Sequence, residues 1–265
     1  MVAILDSITN VDGDRHAGDV VVAGSHGGEY AGYLALKAGV RGVILNDAGI
    51  GKDEAGVASL SMLDERSVPA ATVDHRSARI GDGEDMHDRG HVSRVNDAAA
   101  ALGSAPGQST AECAARMAGA DPVDAAVPEY GPGRHVFREG EVTVRGLDSV
   151  SLLREADAGD VIVTASHGSR LPGEDEHGSY VAVDVAGITF NDAGRGADDA
   201  GTTRLPHLDA RGIPAVAIDC ETARIGDARS TWETGVVSVA NDAATALGVG
   251  AGDSCRAFVA AVIDR

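Results

Sequence analysis

Several residue types are scarce in this chain of 265 residues, and each scarcity argues against a class of protein. There are three cysteines, and they lack the spacing of a disulfide framework. No apolar run approaches the roughly 18 residues that span a bilayer, and the first residues lack the charged and apolar regions of a signal peptide. These absences predict a cytoplasmic protein without a membrane partner.

Basic and aromatic residues are also scarce. The chain has 22 Lys+Arg against 41 Asp+Glu, a formal net charge of -19, and 3% aromatic residues, and Lys37 and Lys52 are its lysines. Without a basic stripe to neutralise phosphates, a nucleic-acid partner is not expected. A lysine-poor acidic surface stays hydrated where salt screens repulsion, so we interpret the composition as halophile-like. An ordinary acidic bacterial enzyme is the alternative.

The fingerprints of the common cofactor and hydrolase sites are missing. The chain has no Gly-x-Gly-x-x-Gly, no Walker loop, no Gly-x-Ser-x-Gly elbow, no His-Glu-x-x-His and no Cys-x-x-Cys. ATP and nicotinamide chemistry therefore lack their usual signatures. A divalent metal remains a candidate cofactor.

What the chain does have is an internal duplication, seen as three polar motifs that occur twice in the same order. The pairs are Ser25-His26-Gly27 with Ser166-His167-Gly168, Asn46-Asp47-Ala48-Gly49 with Asn191-Asp192-Ala193-Gly194, and Ala78-Arg79-Ile80-Gly81-Asp82 with Ala223-Arg224-Ile225-Gly226-Asp227. The repeat is half the chain, much longer than the ~20–50 residues of a solenoid repeat. Polar residues that occur in both copies are more readily explained by a site than by chance.

The repeats suggest domain boundaries. We predict a first α/β repeat at residues 1–120, a Pro/Gly-rich connector at 121–141 and a second repeat at 142–265. Between its first two motifs the second copy carries four extra residues, which we place in 170–178.

Short runs rich in Val and Ile alternate with Ala-rich helical stretches, and unbroken apolarity is typical of parallel strands covered on both faces. The predicted strands are 2–5, 19–24, 42–45 and 69–73 in the first copy and 142–147, 160–165, 187–190 and 214–218 in the second. The predicted fold is α/β: two pseudo-symmetric halves, each a flavodoxin-like parallel-sheet unit with three α/β/α layers. In the flavodoxin-like strand order, the Ser-His-Gly strand lies between the other two motif strands.

Each motif directly follows a predicted strand. Ligands of open parallel sheets bind beyond the carboxyl ends of the strands, so we expect the motifs to gather at that edge. The sequence leaves open whether the halves share one site, and whether the protein forms a homo-oligomer.

The Ser-His-Gly turns combine a hydroxyl, an imidazole and glycine amides ahead of a helix, which suits an anion or a developing oxyanion. His26 and His167 are candidate catalytic residues for proton transfer. The candidate substrate-binding residues are Ser25, Gly27, Gly28, Ser166 and Gly168. A serine cap and a tight glycine turn are the alternative explanation.

The Asn-Asp-Ala-Gly turns place a carboxylate at the next strand end. Asp47 and Asp192 are candidate catalytic residues that would orient a histidine, bind a metal or act as a base. Asn46 and Asn191 are candidate substrate-binding residues. Turn formation alone explains these residue types equally well.

Arg79 and Arg224 follow the last predicted strand of each copy. An arginine can hold a substrate carboxylate through two hydrogen bonds, so both are candidate substrate-binding residues. The alternative is an internal ion pair with Asp82 or Asp227.

The copies differ where His75 in the first corresponds to Cys220 in the second. In the flavodoxin-like strand order, Cys220 would lie beside His167, which could activate it as a nucleophile. A buried, unreactive cysteine is the alternative. In the first copy, His26 and His75 are candidate metal ligands, together with Asp47 or Asp74.

An apolar strand that runs into Ser-His-Gly resembles the histidine motif of caspase-like peptidases. In that family the next strand ends near a catalytic cysteine, whereas Gly49 and Gly194 occupy that place here. The resemblance covers a few residues and implies no thiol peptidase.

Together these patterns predict an enzyme, a hydrolase or lyase, that acts on a small anionic metabolite containing a carbonyl group. His and Asp would supply acid-base chemistry at the carboxyl edge of the sheet. A non-catalytic module that binds or senses a small anion at twin sites is the alternative.

Overall fold

A computed structural model describes residues 1–174 and 180–265. The chain forms two compact units. The first comprises Met1–Ile50, Glu54–Gly131 and Arg195–Ala200, and the second comprises Gly51–Asp53, Pro132–Gly194 and Gly201–Arg265. Each unit contains a mostly parallel sheet with helices, so the α/β class and the division into two halves are confirmed.

The sheet of the first unit has five strands, ordered as the chain adds them. They are β1 (Val2–Leu5), β2 (Val20–His26), β3 (Gly42–Asn46), β4 (Ala70–Val73) and β5 (Val92–Val95). Neighbours from β1 to β4 pair in parallel, and β5 pairs antiparallel with β4. The four predicted strands of this copy are present, and the antiparallel edge strand was not predicted.

Helices cover both faces of this sheet. They are α1 (Gly13–His16), α2 (Glu29–Lys37), α3 (Ser59–Asp64), α4 (Gly83–Arg89), α5 (Asp97–Ala101) and α6 (Thr110–Met117), with a 3-10 helix at Ile8–Asn10. The 3-10 helix Lys52–Val57 has its first two residues in the range of the second unit. Val21 and Val43 pack with α2 and α3, because consecutive right-handed crossovers return on one face. Val22 and Ile44, which point the other way, pack against α4 and α6.

The second unit repeats this arrangement within the described residues. Its strands are β6 (Arg134–Arg138), β7 (Val144–Leu147), β8 (Val161–His167), β9 (Gly187–Asn191), β10 (Ala215–Ile218) and β11 (Val237–Ala240), again in sequential order. The outer strands β6 and β11 are antiparallel to their neighbours. β6 forms from residues inside the segment interpreted as a connector.

The helices of the second unit also lie on both faces. They are α7 (Leu205–Asp209), α8 (Ala228–Thr234), α9 (Asp242–Thr245) and α10 (Cys255–Ile263), with 3-10 helices at Val150–Leu152 and Glu155–Asp157. The 3-10 segment Ala197–Thr202 has its first four residues in the range of the first unit. Ile188 and Phe190 pack with α7, whereas Val163 and Val216 pack with α10. Within the described part of the chain, no helix has the length and apolar character needed to cross a bilayer.

The strand order differs from the predicted flavodoxin-like order. In each unit the Asn-Asp-Ala-Gly strand, β3 or β9, lies between the other two motif strands, a place predicted for the Ser-His-Gly strand. Apolar periodicity identifies a strand but carries no information about its neighbours, which explains the error. The extra residues placed at 170–178 lie partly outside the described residues.

Candidate functional site

The three motif strands of each unit end side by side. His26 is paired with Asn46 across β2 and β3, and Asn46 is paired with Val73 across β3 and β4. The second unit repeats this register, with His167 beside Asn191 and Asn191 beside Ile218. The polar turns that follow therefore share the carboxyl edge of each sheet.

The observed order separates His167 from Cys220. β9 lies between β8, which ends at His167, and β10, which precedes Cys220. The expectation that these two residues are on neighbouring strands is wrong. Cys220 is instead next to Asp192, whose Oδ1 atom accepts a hydrogen bond from the Cys220 amide at 3.0 Å.

The serines of the Ser-His-Gly turns brace the strand. Ser25 Oγ accepts a hydrogen bond from the Ile8 amide at 2.9 Å, and Ser166 Oγ accepts the equivalent bond from Val150 at 2.9 Å. Each serine thus fixes its strand to the 3-10 helix that follows the first strand of the repeat. Ser25 is buried, as the bracing role requires.

His26 is held neutral with a defined tautomer. Its Nδ1 atom accepts a hydrogen bond from the Gly28 amide at 3.1 Å, so that nitrogen carries no proton. Burial lowers the pKa of His26 to about 4, and the ring is therefore neutral at pH 7 with its proton on Nε2. His167 Nδ1 accepts a similar bond from Ser169 at 3.3 Å.

The glycines that follow allow close backbone packing. A Cβ atom on Gly27 would lie 2.6 Å from the Gly56 carbonyl oxygen, and one on Gly168 would lie 2.6 Å from that of Gly201. Gly28 is the N-cap of α2 and provides no side-chain cap. The amino end of α2 therefore keeps amide groups that can receive an anion.

The asparagines of the second motif stabilise turns. Asn46 Oδ1 accepts a bond from the Ala48 amide at 2.9 Å, and Asn191 Oδ1 accepts one from Ala193 at 2.9 Å. Both asparagines are almost fully buried. Ala48 has a φ of 49°, a left-handed conformation that costs free energy in a residue other than glycine and that this bond helps to hold.

Asp47 makes several contacts at the carboxyl edge of the first unit's sheet. It is 2% exposed. Its Oδ1 atom accepts bonds from the amides of Gly49 at 3.1 Å and His75 at 3.0 Å. The same oxygen lies 2.8 Å from Nδ1 of the His75 ring. Asp192 repeats the two backbone contacts, with Gly194 at 3.0 Å and with Cys220.

The direct contact between His75 and Asp47 was not predicted. The sequence grouped these two residues only as candidate metal ligands, and the assumed strand order kept β3 away from β4. His75 follows β4 closely, where the end of the neighbouring strand β3 can reach it.

Three side chains that could ligate a metal ion lie together here, and they include both candidate aspartates and His75 but not His26. Asp47, Asp74 and His75 offer ligand atoms within 4.8 Å of one another, and Asp192, Asp219 and Cys220 do so in the second unit. In the first set, both oxygens of Asp74 accept bonds from the Arg76 guanidinium, at 3.0 and 2.8 Å. That guanidinium lowers the pKa of Asp74 and supplies the positive charge that a metal would bring.

Cys220 is not activated. It is 6% exposed, and burial, with the neighbouring carboxylates of Asp192, Glu221 and Asp219, raises the pKa of its thiol to about 12. A nucleophilic cysteine requires the opposite shift, so the thiol is protonated at neutral pH.

Both motif arginines form ion pairs within their own units. Arg79 contacts Asp85 at 3.2 Å and lies 3.6 Å from Asp82. Arg224 Nε donates to Asp227 at 3.2 Å. Asp82 and Asp227 are the N-caps of α4 and α8, so these pairs help to anchor helix starts.

Comparison of the sequence with protein-family models and with curated proteins, and of the fold with solved structures, finds no match.

Proposed function

We propose that the first unit carries the active site of an enzyme, a hydrolase or lyase, that acts on a small anionic metabolite containing a carbonyl group. The observation that carries this proposal is the His26 imidazole, held neutral with its proton on Nε2 directly before the uncapped start of α2. A neutral imidazole that donates from Nε2 can polarise a carbonyl group or stabilise an oxyanion.

The start of α2 supports an anionic substrate. This helix of nine residues has no side-chain cap, whereas α4 and α6 are capped by Asp82 and Ser109. The free amides and the helix dipole at such an end favour negative charge. Since Arg79 is already paired with carboxylates, the proposal assigns recognition of the anion to these amides.

The second unit differs from the first at two positions of the edge, which is why the proposal is confined to the first unit. Among the described residues between β8 and β9, no helix follows His167. The position of His75 is occupied by the protonated Cys220. In this proposal, Ser166, Asn191 and Asp192 maintain the turns of the second copy.

The two units are best explained by a tandem duplication. The same strand order and the same contacts at Ser25 and Ser166, and at Asp47 and Asp192, support this origin. The cysteines of the described chain are free and buried, which supports a reducing cytoplasm.

The test is a turnover screen of the purified protein against short-chain dicarboxylate half-amides, half-esters, lactones and hydroxy-oxo acids, followed by proton NMR. We expect the wild type to convert at least one compound and His26→Gln to lose about 10²-fold or more in kcat. His87→Gln is the control. His87 lies on α4, where its Nδ1 atom is 2.9 Å from the Asp88 carboxylate, and it belongs to none of the repeated motifs.

Two results would count against the enzyme proposal. If compounds bind without conversion, and His26→Gln weakens binding, the site belongs to a non-catalytic anion-binding module. If neither binding nor turnover is found, and His26→Gln only lowers stability, the motif serves the fold.

A further inference from the structure

We propose that His75 is the general base of this site and that Asp47 is its positioning residue. The inference rests on the proposed function and deepens it, since it names the group that accepts the proton. It also replaces the earlier expectation that His26 exchanges protons, because His26 Nδ1 accepts the Gly28 N–H and its Nε2 is left as a hydrogen-bond donor.

The contact with Asp47 fixes which ring nitrogen of His75 donates. Asp47 Oδ1 already accepts two backbone N–H groups, from Gly49 and from His75 itself. An oxygen that accepts two hydrogen bonds and lies 2.8 Å from Nδ1 requires that nitrogen to donate. Nδ1 therefore carries a proton, and in the neutral form of the ring the lone pair is on Nε2.

The ring is fixed in position. Its own amide is bonded to Asp47, and its carbonyl oxygen accepts a bond from Ala197, in the 195–200 segment of the same unit, at 2.7 Å. The side chain is 17% exposed while that of Asp47 is 3% exposed. Within the described residues Nε2 has no hydrogen-bond partner, so the basic nitrogen is available to a substrate or to water.

His26 and His75 are thus complementary. One presents an N–H group and the other a lone pair, and they follow strands separated by β3 alone. With neighbouring strands about 4.8 Å apart, the strand ends lie about 10 Å from each other, which is the distance that a substrate and a water molecule bound between the two rings would span. Environments that fix two titratable groups in opposite roles are typical of acid-base sites.

In the hydrolytic form of the reaction, the oxygen of a water molecule attacks the carbonyl carbon and gives one proton to Nε2 of His75. The π electrons of the carbonyl group move onto its oxygen, which accepts a hydrogen bond from His26. When the oxyanion collapses, the bond to the leaving group breaks and that group takes the proton from His75. The ring returns to its neutral form, and the net change is the addition of water.

A metal is a less suitable occupant of this position. The Asp74 carboxylate is held by Arg76, and Asp47 already directs the Nδ1–H of His75. A metal on Nδ1 would displace the proton shared with Asp47, and a metal that also used Asp74 would displace Arg76, whereas proton transfer at Nε2 keeps both contacts.

The experiment compares kcat and KM of His75→Gln, His75→Ala and His87→Gln on a compound that the wild type converts. We expect His75→Gln to lose about 10²- to 10⁴-fold in kcat, and His87→Gln to stay within about twofold. Added imidazole should restore part of the activity of His75→Ala, which a purely structural role would not allow. For Asp47→Asn we expect a fall in kcat with KM little changed. The substitution would disturb the tautomer of the His75 ring, whereas it would leave the groups that bind the substrate in place.

The outcomes separate the two proposals. If His75→Gln keeps the wild-type kcat while His26→Gln loses it, His75 is not the base and the proposed function stands. If His75→Ala folds but imidazole restores nothing, the assignment also fails. If the wild type converts no compound of the panel, the proposed function fails and this inference with it.

Discussion

At the scale of single residues, the hydrogen-bond partner decides what each histidine can do. His26 accepts a backbone N–H at Nδ1, and His75 lies against a buried carboxylate at the same ring position. At Nδ1, His26 is therefore an acceptor and His75 is a donor. The free nitrogen, Nε2, has the opposite role in each neutral ring. Sequence alone shows the histidines but not these partners.

The neutral state of His26 predicts a pH dependence of stability. Burial lowers the pKa of His26 to about 4, whereas its ordinary value is 6.5. Only the unfolded chain binds a proton between these values, so this contribution is complete above about pH 6.5 and is lost as the pH falls towards 4. When the pH is lowered from about 7.5 to about 5, we expect protonation of His26 in the unfolded chain to reduce the unfolding free energy of the wild type by about 2 kcal/mol.

Urea denaturation of the wild type and of His26→Gln at both pH values measures this term. The variant should lose about 2 kcal/mol less than the wild type over the interval. Equal losses in the two proteins would show that His26 is not held neutral by the fold.

At the scale of elements, many of the repeated polar residues tie a turn or helix to its strand. Asn96 caps α5 through Ala99 and also accepts a bond from Ala70, both at 2.9 Å, and it donates to the Val68 carbonyl at 2.8 Å. Asn241 makes the same set of contacts in the second unit, with Ala215, Ala244 and Ile213. Repetition in both copies is thus a sign of folding requirements as well as of function.

Asn96→Ala tests this explanation. It removes three hydrogen bonds from a site that is 6% exposed and leaves backbone groups of β4 and α5 without partners. We expect a loss of about 3 kcal/mol in unfolding free energy, against less than about 0.5 kcal/mol for Asn10→Ala at an exposed position. Similar stabilities of the two variants in chemical denaturation would refute the bracing role.

At the scale of the whole molecule, charge is the dominant property. A formal net charge of -19 on 265 residues makes self-repulsion a general cost of folding in dilute buffer. Salt shortens the Debye length from about 10 Å at 0.1 M to about 3 Å at 1 M and so reduces this cost.

We therefore expect the thermal midpoint to rise when KCl is increased from about 0.1 M to about 1 M. Scanning calorimetry over a KCl series measures the effect. A midpoint that stays constant or falls would contradict the halophile-like interpretation of the composition.

The strands were predictable because buried parallel strands are apolar throughout, as in Val20–Ala23 and Val161–Val163. The edge strand β5 was missed because Val92–Val95 is short and only Val92 in it is buried. Strand order depends on packing between distant segments, so the neighbourhood of Cys220 was misjudged. His75 was found as a residue, but its role needed the contact with Asp47.

The central claim, that the edge of the first unit holds a paired hydrogen-bond donor and base, is tested most directly by the tautomers of His26 and His75. Long-range proton–nitrogen NMR of ¹⁵N-histidine-labelled protein at neutral pH reports them, with His26→Gln and His75→Gln to assign the signals. We expect the proton of His26 on Nε2 and that of His75 on Nδ1. A proton on Nε2 of His75, or on Nδ1 of His26, would contradict the account.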